Sequence, residues 1–149
     1  MTRSIITSVN AGVATLTLSQ PEIRNAFSDV VIAEITAAFA EVGQRDDVRA
    51  VVLAAEGPAF CAGANLNWMR AMADYTREEN LADAGKLAAM LHTIATCPHP
   101  TIARVQGDVY AGGMGLVAAC DMAVAVQEAH FCLSEVKIGL IPATIAPYV

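Results

Sequence analysis

Two hydrophobic rhythms share this chain. Over residues 5–18 the period is two. Ile5, Thr7 and Val9 lead into Asn10-Ala11-Gly12, and Ala14, Leu16 and Leu18 then alternate with Val13, Thr15 and Thr17. β-Branched residues on both sides of a glycine-containing turn predict a hairpin. Gln20-Pro21 stops the second strand, because proline cannot donate to a ladder. From Ser28 the period lengthens toward that of a helix. Val31, Ile35, Ala38, Phe39 and Val42 fall on one face of a predicted helix over 29–42, with Ser28 as its N-cap. The run Ala50 to Ala55 is wholly apolar and suits a strand buried on both faces. Residues 60–65 are small and irregular, and a short amphipathic segment over 66–72 follows them. Thr76 with Glu79 three residues on is a capping-box signature. It opens a helix that groups Leu81, Ala84, Leu87, Ala88 and Leu91, and Cys97-Pro98-His99-Pro100 ends it. A second buried strand is expected over 101–105, then a turn at Gly107 and a glycine-rich helix start over 111–115. Short strands over 122–126 and 130–133 close the series. The order β-β-α-β-α-β-α-β-β predicts an α/β fold. No linker or short repeat divides residues 1–149, which read as one domain.

Composition sharpens that picture. Charged residues are 16% of the chain, against about 25% in an average domain. Alanine accounts for 29 of the 149 residues, so the core is built from small side chains with close backbone approach. Such apolar content with so little charge excludes a disordered chain. A net charge of −6 offers no basic stripe to neutralise phosphates, which excludes a nucleic-acid partner. A small polyanionic ligand remains compatible, held by backbone N–H groups and a few arginines. No apolar run reaches the ~18–20 residues of a membrane span, and Arg104, Asp108 and Asp121 interrupt the most apolar stretches. The opening MTRSIITSV lacks the apolar stretch of a signal peptide and the composition of a transit peptide. Cys61, Cys97, Cys120 and Cys132 form no CxxC pair. They read as small buried hydrophobes in a reducing compartment, so a cytoplasmic location is expected. Zinc would need paired spacing and histidine partners, and no metal site is expected.

Three segments can carry chemistry. Cys61-Ala62-Gly63-Ala64 and Ala111-Gly112-Gly113 each follow a buried strand and precede a helix. Helix starts present unpaired N–H groups. Two such donors converging on one point would form an oxyanion hole. Tight turns that need Gly and Ala only for packing would look the same. The third segment is Leu133-Ser134-Glu135-Val136. Its lone carboxylate among apolar residues suits proton transfer, although a solvated loop glutamate has the same pattern. His92, His99 and His130 lack a Ser/Asp pattern around them, and neither GxGxxG, GxxxxGK[ST] nor GxSxG occurs. Trp68 and Met69 suit either a ligand pocket or the core.

Taken together, Arg24-Asn25-Ala26-Phe27, the segment from Phe60 to Leu66, Gly107 through Asp121, and Phe131 through Pro142 resemble the crotonase, or enoyl-CoA hydratase/isomerase, superfamily. The resemblance runs from the first hairpin to the last residue. Asn65-Leu66-Asn67-Trp68-Met69-Arg70, with Leu133-Ser134-Glu135 and Ile141-Pro142-Ala143, looks most like bacterial methylglutaconyl-CoA and isohexenylglutaconyl-CoA hydratases. The resemblance implies a spiral of repeated ββα units and an acyl-CoA substrate, with coenzyme A part of that substrate and no separate cofactor. It implies oxyanion donors at Ala64 and Gly112, and adenine and pantetheine contacts near Arg24, Ala26, Ala62, Ala64 and Leu66. The expected reaction is addition of water to a 2-enoyl-CoA thioester, with 3-methylglutaconyl-CoA a candidate substrate.

Two departures stand out. Glu135 falls on the second of the family's two catalytic glutamates, but the first falls on Gly115. One carboxylate suffices to shuttle a proton between C2 and C4, so an enoyl-CoA isomerase is the alternative. Asn65 stands where many members have Asp; both cap a helix. The resemblance covers the N-terminal catalytic part of the family domain. Its C-terminal helices, which complete the acyl pocket and build a homotrimer or hexamer, have no counterpart in the chain. A half-domain inactive by itself is therefore a third expectation.

Overall fold

In the computed structural model, which describes residues 4–149, consecutive strands divide between two sheets. The hairpin is β1 (Ile5–Asn10) and β2 (Val13–Leu18), in antiparallel register from Ile5 opposite Leu18 to Asn10 opposite Val13. Its turn residues, Ala11 and Gly12, have φ of 50° and 81°. Two positive φ values at a two-residue turn match the twist of the flanking strands. Every other neighbouring pair of strands runs parallel. β3 (Ala50–Ala55), β5 (Thr101–Val105) and β7 (Met122–Ala125) extend the hairpin into a five-stranded sheet of order β1-β2-β3-β5-β7. The strands between them, β4 (Ala59–Cys61), β6 (Asp108–Tyr110) and β8 (Phe131–Cys132), build a smaller parallel sheet. After the hairpin, each pass of the chain thus gives one strand to each sheet. The helices α1 (Asp29–Gly43), α2 (Leu66–Met72), α3 (Arg77–Ala95) and α4 (Gly112–Ala118) fill the returns. This is the α/β arrangement of repeated ββα units that the sequence led us to expect.

The core lies between the larger sheet and the helices. Ala14, Leu16 and Leu18 turn inward from β2, as the period-two pattern requires. Val51, Leu53 and Ala54 are buried in β3. The α1 face buries Val31, Ile32, Ile35, Ala38, Phe39 and Val42. Each fully buried large side chain there contributes about 1.5–3 kcal/mol. The side chain of Asp121 ties the start of β7 to β5, accepting from the Thr101 N–H at 2.7 Å and from its hydroxyl at 2.9 Å.

Three local expectations need correction. Ser28 occupies the N-cap position of α1 with extended backbone, but its side chain caps nothing. Thr76 does form the expected capping box with Glu79. Along α3 the expected apolar face is only partly used. Leu81 is 66% exposed and Ala84 and Ala88 are exposed too, while Asp83, Met90, Leu91 and Ile94 are buried. Periodicity finds a face, but only the C-terminal half of α3 meets the core. Finally, β4 and β6 stand where the pattern predicts an irregular loop and a turn. Three residues are too few to display an alternation.

Among the described residues no helix is long and apolar enough to cross a membrane. The four cysteines are free thiols.

Candidate active site

The loop that joins β4 to α2 is held from behind. Asn25 is only 3% exposed and has φ of 53°. Its Nδ2 donates to the carbonyls of Glu56 at 2.9 Å and Ala59 at 3.0 Å, and its Oδ1 accepts from the Gln20 N–H at 2.9 Å. The Cys61 thiol donates to the Asn25 carbonyl at 3.2 Å, and the Gly63 N–H points to the same sulfur at 3.4 Å. Burial pushes that thiol up to about 12, which keeps it neutral. The backbone completes the brace. Ala62 N–H donates to the Arg24 carbonyl, Phe27 N–H to the Gly63 carbonyl and Asn65 N–H to the Phe27 carbonyl, each at 2.9 Å. These bonds make Ala64 the bridge partner of Phe27 through its two neighbours. Alternation along a strand then turns the Ala64 amide to the opposite side.

A second loop meets the first edge to edge. Ala111, at φ 47° and ψ −122°, turns the chain out of β6, and α4 begins at Gly112. That conformation is strained for a residue with a Cβ. Ala111 N–H is anchored on the Cys132 carbonyl at 2.9 Å. A Cβ added to Gly112 would stand 2.5 Å from Cζ of Phe27. One added to Gly63 would stand 2.9 Å from the Ala111 Cβ and 3.3 Å from the Gly112 nitrogen. Glycine at both positions therefore lets the two loops touch. The first amides of α4 have no partner within the helix.

Glu135 opens a 3-10 turn, Glu135–Ile138, that Gly139 ends at φ 74°. The residue is half-buried, and its Oε2 is buried with no protein partner. A buried acceptor left open is rare in a protein interior unless something else occupies it.

These elements share a wall. Ala64, Gly112 and Glu135 all line one cavity of about 380 Å³. Met69 lines it as well, whereas Trp68 packs against the core. A second cavity of about 450 Å³ is lined by Ala26, Ala62, Ala64, Leu66 and Arg70 among others. Ala62, Ala64 and Leu66 belong to both, so the cavities adjoin. Arg24 lines neither; its side chain is exposed and its contribution is the carbonyl that holds Ala62. Arg70 was missed by sequence reasoning. The available signal was its position one helical turn after Leu66. None of the three histidines lines either cavity, and His130 instead pairs with Asp108 at 3.0 Å. Among the described residues no group of three or more His, Cys, Asp or Glu could hold a metal ion.

Gly115 is buried, and the space beside it is taken. A Cβ there would lie 2.4 Å from Cγ2 of Ile145. Position 115, where the resemblance implies a glutamate, carries an apolar contact instead.

The family model described as enoyl-CoA hydratase/isomerase matches residues 8–149. The chain belongs to the enoyl-CoA hydratase/isomerase family. Enoyl-CoA hydratase ACTT6 of Alternaria alternata is 37% identical over 143 residues, covering 93% of this chain and 45% of that protein. The crystal structure of an enoyl-CoA hydratase from Shewanella pealeana superposes with a TM-score of 0.95 at 42% identity, covering 98% of this chain and 55% of that one. An enoyl-CoA hydratase structure from Mycobacterium smegmatis gives a TM-score of 0.91 at 39% identity, with 97% and 56% covered. This family member thus spans about half the length of the relatives it matches.

Proposed function

We propose that the chain binds the thioester of a 2-enoyl coenzyme A and adds water across its double bond. The observation that carries this reading is the convergence of Ala64, Gly112 and Glu135 on one cavity. In this reading the two backbone N–H groups of Ala64 and Gly112 donate to the thioester oxygen. As water attacks C3, negative charge moves onto that oxygen, and each donor stabilises it by about 3 kcal/mol. The Glu135 carboxylate takes a proton from the attacking water, and the same carboxyl returns a proton to C2. The sum is addition of one water with no other reactant. Coenzyme A extends into the adjoining cavity past Ala26, Ala62 and Leu66. There Arg70, which lines that cavity, is the cation proposed to meet its phosphates. We propose 3-methylglutaconyl-CoA as the acyl group to test first, on the sequence likeness around Trp68 and Glu135. A homotrimer or hexamer is the proposed assembly when the C-terminal part of the family domain is present.

A second reading is favoured by one observation. Ile145 occupies the space beside Gly115, so that position supplies no second carboxylate. A single carboxylate can lift a proton from C2 of a 3-enoyl-CoA and return it at C4, which isomerises the double bond. Supplying a 2-enoyl-CoA and a 3-enoyl-CoA separately distinguishes the two. Hydration of the first without isomerisation of the second supports the hydratase. Isomerisation without hydration overturns it.

A further inference from the structure

The segment over 135–149 is mostly exposed, and Ile145 is its one buried residue, at 3% exposure. Its apolar neighbours are not: Ile138 is 57% exposed, Ile141 79% and Val149 56%. Two features seat Ile145. Glycine at 115 leaves open the space that its Cγ2 and Cβ enter, since a Cβ at that position would lie 2.4 and 2.9 Å from those atoms. Leu91, fully buried on α3, closes the same space from the other side, 3.4 Å from that point. Ile145 also lines the cavity shared by Ala64, Gly112 and Glu135. One side chain therefore both fixes the segment to the helices and forms cavity wall.

We propose that Ile145, seated in the space that Gly115 leaves open, determines how much acyl chain the cavity accepts. This rests on the reading of that cavity as an acyl-CoA site. Replacing isoleucine by alanine removes three carbons from the wall and opens space continuous with the cavity. Replacing Gly115 by alanine does the reverse, because the new methyl drives Ile145 toward the ligand. The two positions form a complementary pair, in which the volume of one sets the position of the other.

The test is the affinity of the purified protein for butyryl-CoA and decanoyl-CoA, measured by titration calorimetry. The readout is the ratio of the two affinities within each preparation. Loss of folded protein scales both alike and leaves the ratio unmoved. Ile145→Ala is expected to shift the ratio toward decanoyl-CoA by about tenfold or more, and Ile145→Val by about fourfold, the value of one buried methylene. Gly115→Ala is expected to shift it toward butyryl-CoA, and Gly115→Ala combined with Ile145→Ala to return it toward the parent value. A ratio unchanged in both Ile145 variants, in a protein that binds both thioesters, overturns the inference alone. A parent protein that binds neither thioester overturns the reading of the cavity, and the inference with it.

Discussion

The two sides of the cavity are built differently. The loops around Ala64 and Gly112 are locked by Asn25, Cys61 and the Phe27 ring, all at most 3% exposed. The segment bearing Glu135 is a short 3-10 turn flanked by exposed apolar residues and seated by Ile145. The difference follows from the chemistry proposed for each side. Backbone dipoles stabilise a developing oxyanion only if they are already aimed at it, since reorienting them during reaction would consume the gain. A carboxyl that takes a proton at one atom and returns it at another has to serve two positions. Sparse burial gives a segment low local stability, and the carboxylate side is the sparsely buried one.

Removing the carboxylate is the strongest way to break the comparison. Glu135→Gln is expected to lower kcat by about 10²–10⁴-fold, while affinity for a saturated acyl-CoA stays within a few-fold; steady-state kinetics and calorimetry read both. Near-full turnover in that variant would remove Glu135 from the mechanism. On the braced side, Asn25→Ala removes the side-chain bonds to the Glu56 carbonyl and the Gln20 N–H, while the Ala59 carbonyl keeps Gln106 Nε2 at 3.1 Å. At about 1–3 kcal/mol for each buried orphan, it is expected to cost roughly 3 kcal/mol in urea unfolding and to lower kcat more than it raises KM. A stable Asn25→Ala protein with unchanged kcat would mean that the brace does not position Ala64. Next comes Gly112→Ala, whose methyl meets the Phe27 ring. Overpacking of this kind costs about 1–3 kcal/mol. The combination with Phe27→Leu is expected to recover part of the lost stability in the same denaturant assay.

The smallest effect is expected away from the cavity. The His130 N–H bonds hold the Asp108 carboxyl below its ordinary value of 3.8. A lowered folded-state value gives stability that is present above the ordinary one and lost as pH falls through the folded one. Asp108→Asn should therefore be slightly less stable than the parent at pH 6 and indistinguishable from it in strong acid. A difference that grows on acidification would reverse that sign.

The larger sheet was legible because its strands are long enough to show a period. Val13 to Leu18 alternates, and Ala50 to Ala55 is apolar throughout. Of the smaller sheet only β8 was legible, within the strand expected over 130–133; β4 and β6 were not, since they carry three residues each. Asn25 was readable as part of a motif but not as a brace, because its partners lie up to 34 positions away. Arg24 was expected at the ligand by its place in the same motif. The left-handed turn at 24–25 commits its carbonyl to Ala62, and its exposed side chain lines neither cavity. The absence of a carboxylate at 115 was plain from the sequence. That Ile145 fills the vacated space depends on a contact across 30 positions, which no local pattern encodes.

The central proposal is that Ala64 and Gly112 polarise a thioester carbonyl from fixed backbone positions. Difference infrared spectroscopy of an acyl-CoA labelled with ¹³C at the thioester carbonyl reads this bond directly. The expected result is a carbonyl stretch moved to lower frequency on binding, with the shift kept in Glu135→Gln and reduced in Asn25→Ala. A bound thioester whose carbonyl absorbs at the same frequency as in water would contradict it.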